Sequence, residues 1–382
     1  MYSFFSGENT MNILCGGEVL IDGRIHKDKA VIFDNKIRSV IPLRETERLD
    51  VRRIPFTGVL LPGFIDIHIH GAAGADVMDA TPEALEVISR AIVKSGTTSF
   101  LATTMTMEKN HIIKSLDCVR SFMETQSAGA QCLGVHLEGP FINPAFCGAH
   151  EKKYILKPSK EWIEPFLDII KVITLAPEMD KDHHFIKAMR DLVVLSLGHS
   201  GATYEEAKES FQSGIGHVTH CFNAMTGFHH REPGAAGAAM TLPVSIDIIT
   251  DLVHVHPGLF SALIHLKGCK KLIAITDSMR AAFLSEGEYD LGGQSVYVKD
   301  DVCRLEDGTL AGSVHRMDQA LRNLIKYTDC TLPELSCILS TSAALLLGID
   351  DHKGHIKPGY DADMVILENY MVKDVYVGGK RQ

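Results

Sequence analysis

The feature that most constrains the fold is a regular alternation of strand-like and helix-like segments through the middle of the chain. Short apolar runs typical of buried strands occur eight times, and helical periods separate most of them. The predicted strands span 63–70, 97–105, 132–140, 172–178, 192–199, 217–224, 245–253 and 272–277, and the clearest predicted helices span 82–94, 107–125, 204–213 and 257–266. This alternation predicts an α/β fold with a parallel sheet covered by helices.

Eight such units favour a closed (β/α)8 TIM-like barrel over an open doubly wound sheet, which is the alternative. Polar residues recur at the carboxyl ends of several predicted strands, and in a barrel those ends share one face. Two longer segments break the alternation. Residues 141–158 form a loop rich in Gly, Pro and Lys, and 283–312 has the pattern of inserted strands with glycine turns. Because long loops in compact domains usually carry function, we expect both segments to be functional.

The two ends of the chain differ from this middle. Residues 12–60 show short alternating patterns around an Asp34-Asn35 turn, which is a hairpin signal, and 362–378 shows the same type of pattern. We therefore expect one small β-sandwich domain, built from residues 11–60 and 357–382, beside a barrel domain of residues 61–356. Residues 1–10 precede a second methionine, Met11, and take no part in this assignment.

Composition narrows the class of protein. The 382 residues include 38 Lys and Arg against 48 Asp and Glu, and the net charge of -10 argues against a nucleic-acid or membrane partner. The first residues lack the features of a signal peptide, and the nine cysteines are odd in number with no CxxC pair. We therefore expect a cytoplasmic protein with reduced thiols. The 19 histidines raise the question of metal or proton chemistry.

Candidate metal ligands lie at the predicted strand ends. His68 and His70 share one face of the first strand, because side chains alternate with a period of two. Each of four further apolar runs ends in a His, Glu or Asp: Glu138, His199, His220 and Asp277. Any one of these residues could be structural, but a barrel would bring all of them to one axis. Mixed nitrogen and oxygen donors suit zinc or iron, not magnesium or calcium.

The other histidines divide by position. His217 lies three residues before His220, and strict alternation points it the other way, so we interpret it as structural. His315 stays unassigned. Histidines in loops at the expected catalytic face are candidates for substrate contacts: His150, His229, His230, His254 and His256.

Longer segments resemble the amidohydrolase superfamily and, within it, the N-acetylglucosamine-6-phosphate deacetylase family. The segments are LPGFIDIHIHG, GVHLEGPFINPAFCGAH, SLGHSGAT, VTHCFNAMTGFHHREPGAAGAA, the 251–254 loop, AITDSM, GTLAGS and KPGYDADMVIL, in the expected order from residue 61 to residue 367. GVHLEGPF and the combination of THxFNAM with HHREPG are far more specific than HxH, which fits any amidohydrolase. The likeness covers most of the chain.

This resemblance implies a role for each matching residue. Glu138, His199 and His220 match the family's main metal site, and His68 and His70 match a second site that only some members retain. One or two divalent ions, zinc or iron, are therefore implied, with Glu138 bridging them if two bind. The implied substrate contacts are Ala149, His150, Asn223, Ala224, Arg231, Asp251, His254, Leu310, Ala311 and Gly312.

The implied activity is metal-dependent hydrolysis of N-acetylglucosamine 6-phosphate to glucosamine 6-phosphate and acetate, with Asp277 as base and then acid. Arginine makes forked, charge-assisted contacts to phosphate, which suits Arg231 for the sugar phosphate. In the resembled family this arginine reaches the site of a neighbouring subunit, so a homodimer is implied.

The chain departs from the family pattern at three places that we expect beside the sugar: Phe283, Val314-His315-Arg316 and Leu252-Val253. They leave open an alternative substrate, such as the galactosamine epimer. A cyclic-amide hydrolase or dipeptidase is less favoured, because those enzymes often bridge metals with a carboxylated lysine. The fourth strand ends in Glu178 instead, which we interpret as structural. A non-catalytic scaffold would be expected to lose a ligand or the base, and this chain keeps them all.

Overall fold

The computed structural model describes residues 11–382. Its central sheet has eight parallel strands, each paired with its neighbours in chain order. They are β1 (Phe64–Ile69), β2 (Thr97–Thr103), β3 (Gln131–Glu138), β4 (Ile170–Leu175), β5 (Val194–Leu197), β6 (His217–Val218), β7 (Ser245–Ile249) and β8 (Leu272–Ile275). Just past β8 the Asp277 N–H donates to His68 O, and the His70 N–H donates to Ser278 O, both at 2.9 Å. The first and last strands thus meet, and the predicted barrel is confirmed.

Helices follow most of these strands. They are α1 (Pro82–Ile92), α2 (Lys109–Thr125), α3 (His184–Met189), α4 (Tyr204–Ser213), α5 (Gly234–Thr241), α6 (Phe260–Lys267), α7 (Met317–Tyr327), α8 (Leu332–Ser336) and α9 (Ser342–Leu347), with a π-helical turn, Cys337–Thr341, between the last two. In α2 the buried positions Ile112, Leu116 and Val119 form one stripe. Thr81 and Thr203 cap α1 and α4, as their position before the apolar period predicts.

One predicted strand is wrong over most of its length. The pattern at 217–224 predicts a continuous strand, but β6 ends at Val218. Beyond it His220, Phe222 and Ala224 have positive φ angles of 31°, 81° and 49°. The Cys221 N–H donates to the backbone of the next strand's Asp247, so a tight turn replaces the strand.

The connection between β3 and β4 also departs from strict alternation. This fully described stretch forms only the 3-10 turns Lys152–Tyr154 and Glu164–Phe166 in place of an α-helix. The long loop predicted at 141–158 therefore makes up most of the connection between β3 and β4. The predicted insert contains a three-stranded antiparallel sheet of Gly287–Leu291, Gln294–Lys299 and Val302–Arg304.

The chain ends form two further sheets. One contains Asn12–Cys15, Lys29–Phe33, Ile37–Pro42 and Arg52–Pro55; the other contains Glu18–Ile21, Arg24–His26, Val59–Pro62, Met364–Glu368, Met371–Val377 and Lys380–Arg381. A shared core includes Leu14 and Phe33 from the first sheet and Leu60, Met364 and Tyr376 from the second. This packing is the sandwich predicted from both ends of the chain. Among the described helices, none combines the length and the apolar character that a membrane span requires.

Candidate active site

Six ionisable side chains from five barrel strands meet at the carboxyl end of the barrel. Two of them, His68 and Glu138, lie inside their strands, and the other four follow their strands by one or two residues. All are buried, with exposed fractions of 0% to 8%: His68, His70, Glu138, His199, His220 and Asp277. The structure therefore brings together every residue that the strand-end pattern singles out as a ligand or base.

Three of these side chains form a first group of donors: Glu138, His199 and His220. Glu138 Oε1 lies 3.1 Å from His199 Nε2 and 3.0 Å from His220 Nε2, and the two nitrogens are 3.0 Å apart. Ligands held about 2.0–2.1 Å from a tetrahedral zinc would be separated by about 3.3–3.4 Å. The three atoms are thus spaced nearly as they would be around a divalent cation.

The second group consists of His68, His70 and Asp277. The two Nε2 atoms are 3.3 Å apart and lie 3.4 Å and 3.2 Å from Asp277 Oδ1. Glu138 Oε2 is 3.4 Å and 3.1 Å from the same nitrogens. Glu138 therefore offers one oxygen to each group, which is the arrangement of a carboxylate that bridges two cations. The imidazole and carboxylate donors of both groups fit a divalent metal.

Electrostatics keep both carboxylates of the site ionised. Burial alone would raise the pKa of Glu138, but the charge of His68 and hydrogen bonds from three further imidazoles hold it well below its usual range. The pKa of Asp277 is lowered in the same way, because His68 and His70 outweigh its burial. Burial lowers the pKa of His199 to about 4. Both carboxylates are therefore in the form that binds a cation or accepts a proton.

Three of the site residues have a backbone conformation that side chains other than glycine rarely adopt. The φ angles are 49° at His199, 31° at His220 and 48° at Asp277. Such conformations cost about 1–3 kcal/mol each and persist where surrounding bonds enforce them. Here the His220 N–H donates to the carboxylate of Asp247, and Asp277 O accepts the Ser313 N–H at 2.8 Å. Enforced strain at three neighbouring residues is typical of a functional site.

Two buried carboxylates below the site were not predicted. Asp66 accepts hydrogen bonds from Thr276 Oγ1 at 2.6 Å and from the His68 N–H at 3.3 Å, and burial raises its pKa to about 6. Asp247 Oδ2 lies 3.0 Å from Nε2 of His217, which is buried with it. A charged residue inside an otherwise apolar strand is the signal that could have identified both carboxylates.

Five of the six side chains, all but His68, line a cavity of about 580 Å³. Seven of the ten predicted substrate contacts line it: Ala149, His150, Asn223, Ala224, His254, Leu310 and Gly312. The other three do not line it. Ala311 is buried, and Asp251 Oδ2 lies 2.7 Å from Nδ1 of His254. Arg231 is exposed and does not belong to the lining of this cavity. The lining also contains residues outside every motif named above, among them Met105, Lys152, Leu291 and Asp307.

His150 enters the site from the long loop after β3. Its Nδ1 accepts the Thr106 N–H at 3.0 Å, so a neutral ring carries its proton on Nε2. Nε2 lies 3.5 Å from Glu138 Oε2, at the edge of the second group. His150 therefore presents an N–H donor to the cavity, a group suited to an oxygen that becomes negative.

None of the residues at the three departures from the resembled family belongs to the described lining of the cavity. The Arg316 guanidinium lies 5.3 Å from the centre of the Phe283 ring, so these two departures pack on each other. His315 is buried, with Nε2 3.2 Å from Thr250 Oγ1. Val314, Leu252 and Val253 are also outside the lining.

Known proteins are similar to this chain in both sequence and fold. The model of the amidohydrolase family matches residues 59–381. An N-acetylglucosamine-6-phosphate deacetylase of Bacillus subtilis (strain 168) is 42% identical over 349 residues, which cover 88% of each chain. The crystal structure of N-acetylglucosamine-6-phosphate deacetylase from Pasteurella multocida superposes with a TM-score of 0.92 at 28% identity, covering 97% of this chain and 99% of that one.

A second solved structure adds a ligand to the comparison. It is a mutant of the N-acetyl-D-glucosamine-6-phosphate deacetylase from Mycobacterium smegmatis in complex with N-acetyl-D-glucosamine-6-phosphate. It superposes with a TM-score of 0.88 at 26% identity and covers 98% of this chain and 99% of that one. The family match spans well over half of the residues, and the motifs of the sequence had indicated the same relationship. The chain therefore belongs to the amidohydrolase family.

Proposed function

We propose that the chain hydrolyses the N-acetyl group of N-acetylglucosamine 6-phosphate and releases glucosamine 6-phosphate and acetate. The observation that carries this proposal is the pair of donor groups that share Glu138, with Asp277 and His150 beside them at the floor of one cavity. Relatives over nearly the full length are named for this activity, and one of them was solved with this sugar phosphate.

The residues present fit one or two divalent ions, zinc or iron. We assign the first ion to Glu138, His199 and His220, and a second to His68 and His70 with the other oxygen of Glu138. A bound divalent metal of this kind polarises a carbonyl oxygen and lowers the pKa of water from about 15.7 toward 7.

The protons are handled by the chain's own side chains. Asp277 is ionised and lines the cavity, so it can accept the proton of the attacking water. The water oxygen adds to the acetyl carbonyl carbon, and the His150 Nε2–H donates to the carbonyl oxygen as negative charge develops there. Asp277 then gives its proton to the departing nitrogen as the C–N bond breaks. One carboxylate serves as base and acid in turn.

The phosphate of the substrate requires a cationic partner, and we propose Arg231 of a second copy of the chain. Arg231 is exposed, and its Nη1 lies 2.8 Å from His230 Nε2, outside the cavity of its own chain. Contact with a neighbouring cavity would make the enzyme a homodimer. The net charge of -10 does not oppose this, because an arginine beside histidines supplies a local positive site.

Acetate release from a substrate panel tests the proposed function. The panel contains the 6-phosphates of N-acetylglucosamine and N-acetylgalactosamine, and each sugar without phosphate. We expect the highest kcat/KM on N-acetylglucosamine 6-phosphate and a large rise in KM without the phosphate. A metal-loaded protein that is inert on every member would refute the proposal. A higher kcat/KM on N-acetylgalactosamine 6-phosphate would show that this epimer is the preferred substrate.

A further inference from the structure

We propose that Glu178 is a positioning residue of the metal centre, which fixes both the turn that carries His199 and the loop that carries His150. Glu178 follows β4 and lies outside the described lining of the cavity. The inference rests on the proposed metal site, since it concerns how the chain holds the ligands of that site.

Three donors converge on the half-buried carboxylate of Glu178. Oε1 accepts hydrogen bonds from Asn143 Nδ2 at 2.8 Å and from the Gly201 N–H at 2.5 Å. Oε2 accepts one from Ser200 Oγ at 2.7 Å. Asn143 belongs to the loop after β3, whereas Ser200 and Gly201 directly follow His199. One carboxylate thus joins two segments that are far apart in the chain.

The turn at His199 needs such support because its φ angle of 49° is unfavourable for a residue with a side chain. Glu178 holds the two residues that follow this turn. From the other side, the Asn143 N–H donates to His199 O at 3.0 Å. Without the carboxylate, Asn143, Ser200 and Gly201 each lose an acceptor, and the left-handed turn is free to relax.

The same loop orients the imidazole of His199. His199 Nδ1 lies 3.0 Å from Phe146 O, and the Phe146 N–H donates to Asn143 O at 2.9 Å. Within the described structure, the other imidazoles of the two donor groups have no hydrogen-bond partner for this nitrogen: His68, His70 and His220. His199 is therefore the candidate ligand whose ring direction depends on a loop contact, and Glu178 anchors that loop. Partners of this kind orient metal-binding histidines.

A purely structural carboxylate would act on stability alone, and Asp180 supplies the matched control. It lies two residues further along, is buried, and accepts the N–H groups of Phe185 at 3.0 Å and Ile186 at 2.8 Å at the start of α3. Neither Phe185 nor Ile186 belongs to the metal centre. Loss of Asp180 is therefore expected to lower the melting temperature without changing metal binding.

Cobalt(II) titration of the metal-free protein separates the two roles. We expect Glu178→Ala to weaken cobalt binding about 10- to 100-fold and to change the d–d absorption spectrum. Glu178→Gln should stay near wild type, because its amide oxygen still accepts from Asn143 and Gly201. Asp180→Ala should bind cobalt like the wild type while it melts earlier.

Wild-type cobalt affinity and spectrum in Glu178→Ala would overturn the inference, as would an equal loss in Asp180→Ala. If Glu178→Ala does not fold, Asn143→Ala and Ser200→Ala each remove one donor, and wild-type cobalt affinity in both would overturn it. A wild-type chain that binds no cobalt would refute the metal centre itself, so failure of the proposed function is distinguishable from failure of this inference alone.

Discussion

Asp277 is buried yet held in its ionised form, which makes it the residue on which the proposed chemistry depends most. Asp277→Asn removes the proton acceptor but keeps the shape of the side chain. We expect kcat to fall about 10²- to 10⁴-fold, since this is the usual contribution of a general base. Steady-state kinetics and the metal content of the purified protein check this.

Asp307 provides the control for Asp277. It lines the same cavity, but its side chain is exposed and belongs to neither donor group. Asp307→Asn is expected to leave kcat within a few-fold of the wild type. An Asp277→Asn enzyme that retains metal and turns over at the rate of Asp307→Asn would show that Asp277 is not the base.

His150 is expected to act on the rate and not on binding, because its Nε2–H is the donor that we propose for the carbonyl oxygen as that oxygen becomes negative. Loss of one such donor costs roughly 10²- to 10³-fold in kcat. We therefore expect His150→Ala to lower kcat by this amount with little change in KM, measured on N-acetylglucosamine 6-phosphate. A variant with raised KM and unchanged kcat would mean that His150 only binds the sugar.

Prediction from sequence succeeded for residues that continue a local pattern and failed for those placed by distant contacts. His68 and His70 follow from strand alternation. Lys152 and Asp307, by contrast, reach the cavity from a loop after β3 and a loop after the inserted sheet, and no local spacing relates them. Asp247 also escaped prediction, because its role depends on the fold of the preceding turn.

At the scale of elements, the order of strands and helices was predictable because most strands lie in apolar runs and helices α1 and α4 begin at a capping threonine. The position where β6 ends was not predictable from the sequence. Alternation continues in the sequence past Val218, but bonds from His220 and Cys221 to Asp247 force the backbone into a tight turn. A tertiary contact thus overrides a local pattern where the site is built.

The segment between α9 and the last strands contains a charge cluster around the buried Lys353, and removal of this charge should destabilise the fold. Lys353 Nζ lies 2.5 Å from Asp363 Oδ2 and 2.9 Å from Asp361 Oδ2. Lys353→Met leaves the buried carboxylate of Asp363 without its cation, whereas Asp361 keeps its ion pair with Lys36 at 2.5 Å. Breaking a buried pair in this way costs about 3–5 kcal/mol of unfolding free energy. Urea denaturation measures the change.

Lys27 gives the matched control for Lys353. Its side chain is 84% exposed and pairs with Glu18 at 3.2 Å. Exposed pairs contribute about 0–1 kcal/mol, so Lys27→Met should change the unfolding free energy by no more than that. Equal changes in unfolding free energy for the two substitutions would show that the charge of Lys353 stabilises the fold no more than an exposed ion pair does.

At the scale of the whole molecule, the proposed dimer predicts that two inactive variants regain activity when their chains are mixed. The Arg231→Ala chain keeps Asp277 in its own cavity but has no Arg231 to place in the cavity of its partner. The Asp277→Asn chain has Arg231 for its partner but no Asp277 in its own cavity. Each variant alone should be nearly inactive. In a random mixture half of the dimers contain both chains, and each has one complete site, so about a quarter of wild-type activity should return.

Acetate release before and after mixing and re-equilibrating the two variants measures this complementation. Wild-type protein carried through the same treatment controls for losses. A mixture no more active than the average of its components would mean that Arg231 serves its own chain or no substrate at all.

Metal titration with a product readout tests whether the two donor groups form the metal centre of a deacetylase. Metal-free protein is supplied with increasing zinc, and acetate release from N-acetylglucosamine 6-phosphate is followed at each step. We expect no activity without metal and a rise that ends after one or two equivalents per chain, as the two donor groups around Glu138 require. Full activity in the metal-free protein, or no acetate at any zinc level, would contradict it.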